Sequence, residues 1–186
     1  MTTKIQDGII QKDGVDAIKF NTGGIQDKLH SIQAVANTPA NSVTVTLKPS
    51  PFAFRSTTLT DGTSVTRLLN NDSTIVIPSG ATLGAVNAVQ SRIIVLAIDN
   101  NGTVEPAVVN ISGGTTLDEC GLINTVAITS GATSSSVVYS TTARTGVAYK
   151  VVGYFESTQA TAGAWATTLS TVQGAGGEAL SAMSSL

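Results

Sequence analysis

The stretch Arg92-Ile-Ile-Val-Leu-Ala-Ile-Asp-Asn-Asn-Gly-Thr-Val-Glu-Pro-Ala-Val-Val-Asn-Ile111 decides the fold class. Six consecutive apolar residues, Ile93 to Ile98, run into Asp99-Asn100-Asn101-Gly102 and then into a second β-branched run from Val104 to Ile111. Asn-Gly supplies two successive residues that tolerate positive φ, which a two-residue hairpin turn of the right twist requires. The stretch therefore reads as two long antiparallel strands. Ile93, Val95, Ala97, Val108 and Ile111 are placed in a core with Val152 and Phe155 of a further strand, Tyr149-Lys-Val-Val-Gly-Tyr-Phe155.

Outward from that hairpin the same grammar repeats. Val43-Thr-Val-Thr-Leu47 alternates strictly, as a half-buried strand does. Phe52–Leu59 and Val65–Leu69 flank Asp61-Gly62, and Thr74–Ile77 is closed by Pro78-Ser-Gly80. Shorter candidates follow at Val126–Thr129 and Val137–Ser140. The tetrapeptide Ser-Gly-Ala-Thr occurs at Ser79–Thr82 and again at Ser130–Thr133, a hint of an internal repeat. Many short strands separated by Gly, Asn, Ser and Pro predict an all-β, antiparallel β-sandwich or jelly-roll-like domain over residues 42–156.

The flanks differ. Residues 1–41 read as an N-terminal anchoring arm: lysines and aspartates alternate, and Asp7-Gly8 and Asp13-Gly14 punctuate short extended pieces. Ile25, Leu29, Ile32 and Val35 are spaced for a short helix, with Thr38-Pro39 as its boundary. Residues 157–186 are rich in Ala, Gly, Ser and Thr with Trp165 as the single large anchor. Such a segment buries little surface alone and is predicted to pack on the domain or on neighbouring subunits.

Composition narrows the function. Charged residues are 12% of the 186, about half the usual share, and 27 threonines and 19 serines take their place on the surface. A net charge of −2 offers no electrostatic footprint for nucleic acid. The longest apolar run is too short for a bilayer-spanning helix, and the opening Met1-Thr-Thr-Lys-Ile-Gln-Asp-Gly8 carries no apolar signal core. The lone Cys120 makes no internal disulfide.

The chemistry-bearing residues are few. His30, the only histidine, has no second histidine for a triad or a zinc site. Cys120 follows Asp118-Glu119, whose charge disfavours a thiolate, so it reads as a small buried hydrophobe. Asp99-Asn-Asn-Gly102 begins like a calcium loop but lacks the alternating oxygen ligands and the closing glutamate, and reads as a turn. Asn71-Asp-Ser, Asn101-Gly-Thr and Asn110-Ile-Ser match the glycosylation acceptor pattern, which without a secretory context is read as coincidence. No catalytic, cofactor-binding or metal-binding residue is assigned, and no enzymatic activity is expected. Asp99, Asp118 and Glu119 are the acidic groups that convergence at an oligomer axis would bring to a cation.

Phe54-Arg-Ser-Thr-Thr-Leu59, Ala88–Asn100, Gly102–Asn110, Tyr139-Ser-Thr-Thr-Ala-Arg144 and Val152-Gly-Tyr-Phe-Glu-Ser-Thr-Gln-Ala-Thr-Ala-Gly-Ala-Trp-Ala166 together resemble a family of tailed-bacteriophage and prophage virion structural proteins. The resemblance spans roughly residues 42–180. It implies a structural protein on the outside of the particle, a capsid decoration or short head fibre, folded in the reducing bacterial cytoplasm and therefore without disulfides. A tail-fibre or receptor-binding subunit, and a carbohydrate-binding module, are the alternatives. The implied partners are the protein itself as a homotrimer, major capsid or tail proteins through the arm, and a host surface glycan, with no nucleic acid and no membrane insertion.

Overall fold

In the computed structural model, residues 32–57 and 63–174 are described in full, together with the backbone of residues 3–6, 9–12 and 15–19. The strands in sequence order are β1 (Thr3–Gln6), β2 (Ile9–Lys12), β3 (Val15–Lys19), β4 (Ile32–Ala36), β5 (Val43–Leu47), β6 (Ser50–Arg55) and β7 (Ser64–Leu69). They continue with β8 (Ser73–Ile77), β9 (Gln90–Asn100), β10 (Thr103–Asn110), β11 (Ile123–Ala127), β12 (Tyr139–Ser140), β13 (Arg144–Thr158) and β14 (Thr171–Gly174), with a 3-10 turn at Ile111–Gly113. β1, β2 and β3 form an antiparallel three-stranded sheet that sets Ile5 opposite Ile10 and Ile10 opposite Ile18. These are the extended pieces that the Asp-Gly spacing predicts. The Asp61-Gly62 turn and His30 lie outside the described residues.

The predicted hairpin forms as read. Asn100 pairs with Thr103, which leaves Asn101 and Gly102 as the two-residue turn, at φ 48° and 99°. β9 pairs with β10 on one side and β13 on the other. β10 continues to β12, β12 lies parallel to β11, and β11 pairs back onto β13, so five strands close into a barrel. Closure explains the unbroken apolar run. Ile94, Leu96 and Ile98 fill the barrel with Ala107, Val109, Val147, Tyr149 and Val151. Ile93, Val95 and Ala97 face outward into a second core. A strand with core on both faces has no polar face to alternate with.

That second core lies under two smaller sheets, β4–β5–β8 and the β6–β7 ribbon. Val43, Val45 and Leu47 of β5, Phe52 and Phe54 of β6, and Ile75 and Ile77 of β8 pack with Val108, Val152 and Phe155 of the barrel wall. Trp165 completes it. Its indole is fully buried, lies edge-on to Phe155 at 6.2 Å between ring centroids, and donates from Nε1 to the Ala81 carbonyl at 2.8 Å. Its backbone ties down the turn after β4: Asn37 N–H donates to Trp165 O, and Trp165 N–H to Asn41 O. Up to Gly174, the small-residue segment therefore packs on its own domain.

The repeated tetrapeptide makes two similar turns that touch. Ala81 N–H donates to Pro78 O at 3.1 Å and Ala132 N–H to Thr129 O at 3.0 Å, and both alanines are buried. Leu83 N–H bridges to Ala132 O at 2.9 Å. A bulge in β13 advances the register between Val151 and Gly153 relative to β9. The Glu119 carboxylate accepts from the Val151 N–H there, at 2.6 Å.

Three expectations are revised. The helix read from Ile25, Leu29, Ile32 and Val35 is a strand over Ile32–Ala36, paired residue for residue with β5, and Ile32 is buried in the core. Residues 25–31 lie outside the described residues. β4, which lies ahead of the predicted boundary at Ser42, therefore belongs to the same sheet as β5. Ile111, placed in the core, sits half-buried in the 3-10 turn where β10 ends. The all-β, antiparallel character stands, and its largest sheet is a closed barrel.

Candidate functional surface

Each acidic residue singled out for a cation is occupied by a structural donor. Asp99, 7% exposed, accepts from Arg67 Nε at 3.0 Å on one oxygen and from Gly102 N–H at 2.7 Å on the other. Asp118 caps its own turn by accepting from Cys120 N–H at 2.9 Å. Glu119 holds Lys150 Nζ at 3.2 Å as well as the bulge amide. Asp118 and Glu119 share the loop over the barrel, while Asp99 closes the β9–β10 turn. Among the described residues, no three His, Cys, Asp or Glu side chains group at metal-ligand spacing. Cys120 is exposed, contrary to its reading as a buried hydrophobe, and its carbonyl accepts from Arg55 Nη1. Addition of EDTA is expected to leave the melting temperature of the purified protein unchanged; a drop of several degrees would reveal a bound ion.

The remaining ion pairs bolt strands together. Arg144 grips Glu105 through Nε at 3.0 Å and Nη2 at 2.7 Å, across the barrel wall. Arg92 donates to Glu156 Oε1 from Nε and Nη2, at 2.8 and 2.6 Å, and stacks on Tyr154 at 4.6 Å from the ring centroid. The Arg92 hydrogen bond holds the Glu156 carboxyl below its ordinary value of 4.5. A depressed folded-state pKa contributes stability above the unfolded value that is lost as pH falls through the folded one. Acidification below about pH 4.5 is thus expected to destabilise the wild type more than an R92A variant, read by urea midpoints at pH 7 and pH 3.

Tyr149 behaves oppositely. Burial pushes its phenol up to about 12, against a hydrogen bond with the Asp118 backbone that works the other way. A raised folded-state pKa keeps its contribution intact below pH 10, and that contribution fades as pH climbs from 10 toward 12. Y149F should flatten this alkaline loss, and identical pH profiles for the two proteins would contradict it.

The open surface lies elsewhere. Among the described residues, β4 pairs with β5 on one side only. Along its other side runs a groove of about 510 Å³, lined by Ala34, Val35, Ala36 and Asn37 on one wall and Ala166, Thr168, Leu169 and Val172 on the other. Among the described residues, no charged side chain lines it. Val35 and Val172 are each 40% exposed, and register places Val35, Thr44 and Val76 in one row across the β4–β5–β8 sheet. A groove lined mainly by alanines, valines and a leucine, with the neutral side chains of Asn37 and Thr168 at its edge, offers apolar contact and a few polar groups.

The glycosylation-like motifs divide by burial. Asn71 and Asn101 are exposed in turns, whereas Asn110 is fully buried and accepts from Ser112 N–H at 3.0 Å. Sequence reading misses the groove because Ala34, Ala36 and Ala166 carry no signal of their own. It also misses Arg67 and Arg144, whose acidic partners lie 32 and 39 residues away in sequence. No helix among the described residues is long and apolar enough to cross a membrane. No family model, curated protein or solved structure matches the sequence.

Proposed function

We propose that this protein is a structural component of a bacteriophage virion, carried on the outside of the particle as a capsid decoration or short head-fibre protein. The observation that carries the reading is what the residues of the resemblance do. Tyr139 accepts through its hydroxyl from Ser134 N–H, Ser140 shares a 2.5 Å hydrogen bond with Thr125 Oγ1, Arg144 clamps Glu105, and Glu156 is clamped by Arg92. The stretch that resembles such proteins is thus spent on closing and bolting a barrel, as expected where architecture is the function. The stacking of β4–β5–β8 and β6–β7 on the barrel wall supports a sandwich-like reading of the layers. Against a sugar platform stands the burial of Phe52, Phe54, Phe155, Tyr139, Tyr149 and Trp165, with the Tyr154 ring under Arg92.

The protein assembles as a homotrimer on the particle, in this reading, and residues 1–31 attach it to capsid or tail proteins. Gold-labelled antibody against it should decorate the heads of intact virions. Label confined to tail tips would move the protein to the tail-fibre alternative, and unlabelled particles would remove it from the virion. Sedimentation at micromolar concentration should give three times the 18.9 kDa mass of one subunit. A truncation starting at Ile32, which keeps β4 in its sheet, should remain folded yet fail to join particles.

A further inference from the structure

Asn101-Gly102 is the single Asn-Gly pair in the sequence, and it sits exposed at the tip of the β9–β10 hairpin. Asparagine before glycine is the pair most prone to intramolecular imide formation, because glycine has no side chain to hinder attack by its own amide nitrogen. Here that nitrogen is held. The Gly102 N–H donates to Asp99 Oδ1 at 2.7 Å, and Asp99 is itself fixed by Arg67 Nε at 3.0 Å and by burial to 7% exposure. We infer that Asn101 is the spontaneous deamidation site of this protein and that Asp99 is the group that restrains it.

The chemistry balances with water as the only co-reactant. The Gly102 amide loses its proton to solvent and attacks Cγ of Asn101. A new bond from the Gly102 nitrogen to Cγ closes the ring, the bond from Cγ to Nδ2 breaks, and the departing nitrogen leaves as ammonia after taking a proton from water. Water then opens the five-membered imide at either carbonyl, to give aspartate or isoaspartate. Asp99 opposes the first step twice: its hydrogen bond holds the proton that must leave, and its negative charge disfavours the amide anion that results. Either product places a new negative charge two residues from Asp99. Isoaspartate also lengthens the backbone inside a turn whose register fixes it at two residues.

The test is a timed incubation of the full-length protein at pH 8 and 37 °C, with the peptide containing residue 101 followed by mass spectrometry. Wild type, D99A and R67A are compared with a free peptide of residues 97–106. The wild type should deamidate more slowly than the peptide. D99A should be about tenfold faster than wild type, the loss of one hydrogen bond to a charged acceptor. R67A, which keeps the Asp99–Gly102 bond, should stay close to wild type. A D99A rate equal to that of the wild type would remove Asp99 from the role, and a wild-type rate equal to that of the peptide would overturn the whole inference. If D99A does not fold, hydrogen exchange at the Gly102 amide of the wild type decides. Protection of about tenfold over the peptide supports the restraint, and exchange at the peptide rate refutes it.

Discussion

Replacing Trp165 by alanine is expected to lower the unfolding free energy by about 3–5 kcal/mol, a large part of what a domain of this size has. The indole has no exposed surface, so truncation opens a cavity against Phe155 that close-packed neighbours fill only in part. The buried Ala81 carbonyl loses its Nε1–H donor as well. W165F separates the two contributions: it restores most of the ring volume while leaving the carbonyl unpaired, at a cost of about 1–3 kcal/mol. Guanidinium midpoints followed by far-UV circular dichroism measure both variants, since the protein's single tryptophan fluorophore is gone. A W165A midpoint within error of wild type would mean that the indole does not hold the second core together.

Gly153→Ala is the second large effect, and it arises from contact rather than conformation. A Cβ built on Gly153 would stand 2.1 Å from the Gln173 carbonyl oxygen and 2.9 Å from the end of the Ile32 side chain. The first neighbour is backbone, so the methyl has to push β14 off β13. Overpacking of this kind costs about 1–3 kcal/mol. Hydrogen exchange should show where the cost falls: the β14 amides, Val172 to Gly174, lose protection, while the amides of β9 deep in the barrel keep theirs. Unchanged exchange at β14 would show that the strand gives way without cost.

The hairpin at Asn101-Gly102 is legible in the sequence because a two-residue turn has a local chemical requirement that two adjacent residues meet. The outward half of the core is partly legible for a related reason, since Ile93, Val95 and Ala97 alternate and Val108 pairs opposite Val95, whereas Val152 and Phe155, three residues apart, share that face only because of the bulge in β13. The inward half is hidden by the same run: with apolar residues at every position of Ile93–Ile98, periodicity names neither face. Barrel closure is beyond local reading. It depends on Ile123 finding Val147 and on a strand of two residues, Tyr139 and Ser140, lying parallel to β11. β4 reads wrongly as helix because its inward positions after Ile32 are the alanines 34 and 36, too small to mark a face. Ile32 and Val35 then fall by chance on the three-residue spacing of a helix. Among the acidic candidates, Asp99, read as a turn residue, is paired within β9 and reaches the turn only through its carboxylate, and its engagement with Arg67 is invisible because Arg67 arrives from a different sheet.

The contacts around Gly153 also set how the domain responds to load. Ile32 of β4 and Gly174 of β14 both lie against this one glycine. A pull applied between these two residues would therefore load a single pole, through strands that, among the described residues, pair along one side only. A pull applied between them works the outermost ladders open one hydrogen bond after another, as a zipper parts, rather than shearing whole strands past each other. β14 is expected to peel from β13 first, while the barrel strands, paired on both sides, hold together.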